Sequence, residues 1–372
     1  MRILHICNDF CGSKVHSELY KKLDALGIEQ TIYTYYRGVG KEGVNQFESK
    51  RSVFYYRSIL KKRHRILYHQ KVRTVYNDLK NVIEENNFDV IHATTLFSDG
   101  AIAYKLNREC GIPYVVTVRG TDINEFMLVA VWAWSLGIKI LRNASKIVFI
   151  SKAPMEKFCH HFMIKRILPE IQEKFLLQPN GIDDYWLDNI WRGEKKTGRN
   201  ILYFGRFDVN KNVVRLIKAV LSLKEYYKDI HLHLVGGNGC NENIIYKLVH
   251  ENRTHITCHG IVTDKKELQS LYRKCDVFAM PSIHETLGLV YIEALTQGLP
   301  ILYTKGQGVD GLLDEEVGEK VNALSVKSIA NGLARIIDNP DAYMTYKVVK
   351  FDQFRWDLIA RRYFELYKII CC

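Results

Sequence analysis

"PSIHETLGLVYIEALTQGLP", residues Pro281 to Pro300, places two glutamates, Glu285 and Glu293, with seven residues between them inside an otherwise apolar run. The segment before it, VFAMPS, reads as a strand that ends at Pro281 and Ser282. Helical spacing starts near Gly288 with Leu289, Ile292 and Leu295 as the apolar positions, and Gly298 and Pro300 stop that helix before the next strand, PILYT. Glu285 then falls in the loop ahead of the helix and Glu293 inside it, roughly 10 Å apart at ~1.5 Å per residue. Between them lie the free N–H groups and positive dipole end of the helix, a ready site for phosphate. An anion flanked by two carboxylates matches a nucleotide sugar, one acid accepting from ribose hydroxyls and the other from sugar hydroxyls. On spacing alone, a solvent-facing helix position at Glu293 and a dipole-favoured acid at Glu285 explain the pair equally well.

Working outward, short apolar strands alternate with helical segments along the chain. In the first half they are RILHIC, VIHAT, YVVTVRG, KIVFIS and FLLQPNG; in the second, NILYFGR, IHLHLVGG, HITCHG, VFAMPS and PILYT. Continuous apolar strands separated by helices predict parallel sheets covered on both faces, an α/β class of two Rossmann-like, doubly wound domains. The polar interval from Asn180 through WRGEKKTGRN to Asn200 separates the two series, giving domains 1–180 and 181–355. Two such domains leave a cleft at the carboxyl ends of their strands, where ligands bind in this architecture.

The 372 residues suit two domains of ordinary size, and 47% hydrophobic content with 12% aromatics fits a folded globular chain. Nine scattered cysteines without a C-x-x-C pair indicate a reducing compartment and no zinc or disulfide framework. The start, MRILHICNDF, reads as a first strand and not a secretory signal. The longest apolar stretch, Phe126 to Leu141, is 16 residues and is interrupted by Ser135, Gly137 and Lys139, short of the ~20 a spanning helix needs. Of the net charge of +12, residues 1–180 carry +10. Nine Lys or Arg between Arg51 and Lys80, among them Arg57, Lys61, Lys62, Arg63 and Arg65, face a single acid, Asp78, with aromatic and aliphatic residues interleaved. That run reads either as a solvated helical face or as a surface for anionic lipid headgroups. The Trp132 and Trp134 stretch reads equally as core or as part of such a surface.

The pattern P-S-x-x-E-x-x-G-x-x-x-x-E-A-x-x-x-G-x-P, formed by Pro281, Ser282, Glu285, Gly288, Glu293, Ala294, Gly298 and Pro300, resembles the donor-site motif of the retaining glycosyltransferases of family 4, which have the GT-B fold. Further marks fall in the family's order: DVIHA, GIPYVVTVRGTD, QPNGID, YFGRFDVNKN, LHLVGGNG and the His259-Gly260 pair. The final helix, 356–372 with Trp356, resembles the segment that crosses back onto the N-terminal domain in this fold. Over the closing stretch Phe351 to Ile370, Phe354, Leu358, Ile359, Tyr363, Leu366 and Ile369 fall close to one helical face.

The resemblance implies that Arg206 and Lys211 clamp a donor diphosphate, that Glu293 binds ribose and that Glu285 faces the donor sugar. It places Gly12, Ser13, Gly205, Gly260, Thr286, Leu287, Gly288 and Leu289 around the donor. On the acceptor side, apart from the family's pattern, Arg119 is a candidate to bind an anionic acceptor or phosphate, Asp122 to accept a proton or orient the acceptor hydroxyl, and His92 to stand beside them. A turn salt bridge between Arg119 and Asp122, and a packed core role for His92, are the competing explanations. The chain departs from the family at three points: Gly12-Ser13 replaces a Gly-Gly doublet, Glu285-Thr286-Leu287-Gly288 replaces E-G-F-G, and Arg119 stands where many members carry a histidine. No D-x-D spacing occurs, so no carboxylate pair of that kind is available for a metal, and none is expected.

The expected activity is metal-independent retaining transfer from a UDP-sugar or GDP-sugar to an acceptor hydroxyl, with no cofactor. The expected setting is the inner face of a membrane, the enzyme being cytoplasmic and peripheral, with a glycan or lipid-linked acceptor in capsule, exopolysaccharide or lipopolysaccharide assembly. Two other readings stay open: a GT-B protein that epimerises its nucleotide sugar, and a basic nucleic-acid binder, against which no RNA-binding motif or recognition-helix module is found.

Overall fold

The computed structural model describes residues 1–83, 87–193, 198–313, 316–343 and 349–371. It divides into two compact units: Met1–Ile150 with Pro154–Gly181 and Phe354–Cys372, and Ile182–Gln353 with Ser151–Ala153. Part of the polar connecting interval, 194–197, lies outside the described residues, as does position 372.

The first unit is built on strands β1 (Arg2–Ile6), β2 (Glu29–Arg37), β3 (Ser52–Leu60), β4 (Val90–Ala93), β5 (Tyr114–Val118), β6 (Lys146–Phe149) and β7 (Phe175–Leu177). All pairings are parallel, in the order β3-β2-β1-β4-β5-β6-β7. The central strands are buried along nearly their whole length because helices cover both faces, which is why they read as unbroken apolar runs. On one face Leu4, Ile91, Val116 and Ile147 pack with helices Tyr68–Ile83, Ser98–Cys110 and Val131–Asn143. On the other, Ile3, Val90, Val115 and Val148 pack with helix Lys14–Ala25 and with the last helix, Trp356–Cys371.

That last helix buries Trp356, Ile359, Ala360, Tyr363, Leu366 and Tyr367. Ile369, expected on the same face, is 69% exposed, because the buried stripe turns through Tyr367 instead. The basic run 51–80 is not one helix. It is the edge strand β3, a 3-10 turn at Lys62–Arg65 and the start of helix Tyr68–Ile83.

The second unit is a sheet of β8 (Asn200–Phe204), β9 (His231–Val235), β10 (Ile256–Gly260), β11 (Val277–Ala279), β12 (Ile301–Thr304) and β13 (Gly318–Val321), again all parallel, in the order β10-β9-β8-β11-β12-β13. Strand order reverses between β1 and β4 in the first unit and between β8 and β11 in the second. At such a switch point the connections leave the sheet in opposite directions and open a crevice at the carboxyl ends of the strands.

Candidate functional site

In the second unit the switch point is lined by the loops after β8 and β11. Gly205 follows directly on β8 and its N–H donates to Val235 O (3.0 Å), and the Gly236 N–H donates to Gly260 O (2.7 Å). Three glycines thus close the ends of β8, β9 and β10. A Cβ on Gly236 would stand 1.8 Å from Gly205 O, and one on Gly239 2.0 Å from the Phe207 carbonyl carbon, so the loops lie backbone against backbone. Arg206 leaves this floor with its side chain 71% exposed, donating to Asn238 O (3.1 Å) and lying 3.7 Å from Asp208.

The next residues stitch the β8 loop to the β11 loop. Asn210 exchanges two hydrogen bonds with the His284 backbone, each 2.9 Å. Asn212, at φ 61°, donates to Pro281 O (2.9 Å) and Ala323 O (2.7 Å). Lys211 Nζ, half-buried between them, donates to Glu285 Oε2 at 2.6 Å. The Glu285 backbone is held from the far side by Gly308 N–H and by the Gln307 side chain. Glu285 is therefore fixed from the front by a cation and from behind by backbone.

Helix Leu289–Thr296 begins directly after this loop, as its spacing predicts. Its N-cap, Gly288, sits at φ 74° and has no side chain to bond the first-turn N–H groups, and no acid stands in that turn. A side chain at Gly288 would meet the Tyr291 ring at 2.5 Å, while the Tyr291 hydroxyl is anchored on Met280 O. The positive end of the helix is thus left available to an anion, beside Lys211 and Glu285. Thr286 and Leu287 complete the loop, Leu287 buried and Thr286 half-buried.

Glu293 has different surroundings. Burial pushes its carboxyl up to about 7 and Asp183 pushes the same way, while Lys265 and the Tyr272 hydroxyl pull it down. Lys265 is itself ion-paired with Asp183, the N-cap of helix Asp184–Asp188. The two glutamates of the motif therefore occupy separate environments, one clamped by a lysine and one enclosed beside an ion pair.

In the first unit the switch point lies between the ends of β1 and β4. After β1 the chain makes a tight turn, Gly12 and Ser13 N–H both donating to Asp9 O (2.9 and 3.0 Å). A Cβ on Gly12 would stand 2.2 Å from Asp9 Oδ1, so any other residue here displaces the carboxylate folded over the turn. Ser13 caps helix Lys14–Ala25 without a side-chain bond.

After β4, two buried carboxylates organise the loop. Asp99 accepts from Thr94 Oγ1 (2.8 Å), Thr95 Oγ1 (3.0 Å) and the Tyr35 hydroxyl (2.8 Å). Asp122 accepts from the backbone N–H of Leu96 (3.0 Å), Phe97 (3.1 Å) and Arg119 (2.8 Å). Burial pushes both carboxyls up to about 6 against these donors.

Two of the acceptor-side candidates named from the sequence are enclosed in the structure. Asp122, a candidate catalytic group, is buried and committed to three backbone donors. It holds Arg119 by the backbone N–H rather than through a turn salt bridge. The Arg119 guanidinium Nε turns to Thr94 O (3.2 Å). His92 is enclosed, one ring nitrogen bonded to the Tyr367 hydroxyl (2.7 Å) and the other to Thr117 Oγ1 (3.1 Å), leaving neither to present to an acceptor. Asp99, Thr94 and Thr95 were missed by sequence reasoning. Their signal was position: they follow directly on a strand at the switch point. Arg57, counted with the exposed cations, is spent on Asp78 in a two-point pair (2.8 and 2.7 Å).

Two Rossmann-like units of parallel sheet, each with charged side chains at its switch point, are the architecture of the GT-B class of glycosyltransferase. Family comparisons give the narrower placement. The model described as Glycosyltransferase Family 4 matches residues 13–185, and that described as Glycosyl transferases group 1 matches residues 189–348. The chain belongs to glycosyltransferase family 4.

Among curated relatives, it is 24% identical over 314 residues to an uncharacterized glycosyltransferase of Methanocaldococcus jannaschii, covering 77% of each chain. It is 22% identical over 260 residues to the Bacillus subtilis glycosyltransferase TuaC, named for teichuronic acid biosynthesis, covering 66% of this chain and 61% of that one. Among solved structures, sucrose-phosphate synthase of Thermosynechococcus elongatus superposes with a TM-score of 0.73 at 19% identity, covering 100% of this chain and 99% of that one. HepE of Anabaena, solved with UDP-glucose, gives 0.69 at 15% identity, covering 99% and 100%.

Proposed function

We propose that this glycosyltransferase moves a sugar with retention of configuration from a nucleoside-diphosphate sugar to an acceptor hydroxyl, without a metal. The observation that carries this reading is the Lys211–Glu285 pair at 2.6 Å beside the uncapped start of helix Leu289–Thr296. A diphosphate entering there meets the helix N–H groups, Lys211 and the exposed Arg206. Departure of the nucleoside diphosphate develops negative charge that these fixed positive groups stabilise more strongly than the ground state. As Lys211 turns toward phosphate, Glu285 is released to accept from sugar hydroxyls. Glu293 accepts from ribose, a role its burial favours only once a partner supports the ionised form.

The donor is a UDP-sugar or GDP-sugar, a reading supported by HepE, whose structure holds UDP-glucose. The acceptor lies against the first unit, where Arg119 and the Gly12-Ser13 turn mark the crevice. TuaC and the lipopolysaccharide outer core galactosyltransferase WaaB, the latter at a TM-score of 0.71, favour surface-polysaccharide assembly with a glycan or lipid-linked acceptor.

The test is a thermal-shift screen with UDP, GDP, ADP, CMP and their sugar conjugates on wild type and Glu293→Ala, followed by acceptor-dependent release of the nucleoside diphosphate. A ligand at a hundred times its Kd adds ~2.7 kcal/mol to the native state, a readily measured shift. Stabilisation by one nucleotide series, weakened in the variant and followed by acceptor-dependent release with retained anomeric configuration, is the expected result. Silence from every nucleotide sinks the reading, and turnover that needs no acceptor replaces it with an epimerase or hydrolase.

A further inference from the structure

Three segments of the first unit carry large apolar side chains into solvent. Ile66 (80% exposed) and Leu67 follow the 3-10 turn Lys62–Arg65, Leu128 and Trp132 (57%) stand on and after the short helix Met127–Val129, and Phe162 (55%) opens helix Phe162–Lys165. They are bound into one surface from beneath. The Trp134 ring lies 5.0 Å from Phe162 and its Nε1 donates to Phe126 O (3.2 Å), while the Phe126 ring lies 5.8 Å from that of Tyr68, the residue after Leu67.

The same segments carry Lys61, Lys62, Arg63, Arg65, Lys165 and Arg166, all exposed, and within residues 61–67, 125–132 and 162–166 the acid is Glu125, with Glu156 and Glu170 exposed on the flanking helices. Exposed apolar groups with a rim of one sign of charge mark an interaction surface. Of the candidate occupants, a bilayer with anionic headgroups meets both features at once. Apolar side chains enter the acyl boundary while lysine and arginine engage phosphate, each cation adding ~1 kcal/mol near such a surface.

We propose that the first unit docks on an anionic lipid bilayer through this patch, the apolar tips of Leu128, Trp132 and Phe162 inserting and the cations of 61–65 and 165–166 lying on the headgroups. The proposal rests on the lipid-linked acceptor reading above and gives it a physical route. The chain runs from Asp122, which shapes the crevice loop after β4, directly into the inserting segment at 127–132. A lipid-linked acceptor held by the bilayer thereby meets the acceptor crevice without leaving the membrane plane. No helix among the described residues is long and apolar enough to cross a membrane, so the mode is interfacial docking.

The experiment is co-sedimentation of the full chain with phosphatidylcholine vesicles and with vesicles containing phosphatidylglycerol, at low and high salt. It uses wild type, Arg63→Ala/Arg65→Ala, Trp132→Ser/Phe162→Ser, and Tyr226→Ser, an exposed aromatic of the second unit, as control. Wild type is expected to partition at least tenfold better onto the anionic vesicles, and high salt to erase most of that preference. The arginine pair should lower partition roughly thirtyfold, the aromatic pair at least tenfold, and the control not at all. Equal partition onto both vesicle types, or unchanged partition in both patch variants, overturns the proposal. So does a drop in solution mass when Trp132 and Phe162 are removed, which would make the patch a contact between two copies of the chain.

A nucleotide-sugar melt on the same proteins separates the two readings. Normal donor stabilisation with lost vesicle binding supports docking, whereas donor silence in wild type sinks the transfer reading and leaves vesicle partition to decide docking by itself.

Discussion

The two switch points use the same topology to opposite ends. In the second unit the crevice is floored by bare backbone, with Gly205, Gly236 and Gly260 closing three neighbouring strands, and its charged groups, Arg206, Lys211 and Glu285, come from two loops. In the first unit the crevice is held by side chains, Asp99 and Asp122 gathering hydroxyls and backbone N–H groups from several strands into a buried network. A backbone floor brings N–H groups close to a ligand and tolerates no added atoms. A side-chain network can be altered group by group, at a stability cost each time. One edge suits a shared, invariant ligand part such as a diphosphate; the other suits a ligand that varies.

That contrast breaks first at Gly236. Gly236→Ala places a methyl on the Gly205 carbonyl, where backbone meets backbone, and should cost on the order of 4 kcal/mol in the unfolding of the second unit. Gly260→Ala, at φ 71° but with open space around the added carbon, should cost only ~1 kcal/mol. Equal urea midpoints for the two variants would refute the close-approach account.

Lys211→Met tests whether the stitched loop is chemical as well as structural. Transfer should slow by ~10²–10³-fold, as for removal of a fixed group that stabilises developing negative charge. A loss below threefold, measured at saturating donor, would reduce Lys211 to a loop staple.

In the first unit, Asp122→Ala orphans three buried N–H groups and should cost ~3 kcal/mol. Asp122→Asn, which keeps one acceptor oxygen, should recover about half of that. Full stability in the alanine variant would show that the network is not what holds the crevice.

The effect with a sign to check concerns Glu293. Its folded carboxyl is raised from 4.5 to about 7, so folding favours the protonated form. Stability associated with this group is fully present below pH ~4.5, falls as pH rises toward ~7 and stays low above it. Glu293→Gln should therefore be more stable than wild type by ~3 kcal/mol at pH 8 and indistinguishable from it near pH 4, while losing its response to nucleotide. Melts at the two pH values decide this; a variant less stable than wild type at pH 8 contradicts the burial account.

Much of the second unit was legible in the sequence. The helix at Leu289–Thr296 announced itself through Gly288 and Gly298, and each of the ten quoted apolar runs contains a strand of the structure. β2, β3 and β13 were not marked. β3 is an edge strand of mixed exposure, so it lacks the apolar continuity of a central strand, and its one arginine, Arg57, reads as part of a charge run. The first crevice was harder because its members meet only in three dimensions: Tyr35, Thr94, Asp99 and Asp122 carry no local pattern. The Lys211–Glu285 contact joins residues 74 apart, and spacing within the motif could not reveal it.

The last helix has a further consequence, for the order in which the protein matures on the ribosome. Trp356, Ile359, Tyr363 and Tyr367 wall one face of the first sheet, and Tyr367 holds His92 across 275 residues of sequence. A nascent chain therefore emerges with its first unit open along Ile3, Val90 and Val115 until the whole second unit has been synthesised. Through that interval the apolar surface that the last helix covers stays open to solvent, the condition under which a partly made chain is prone to aggregate.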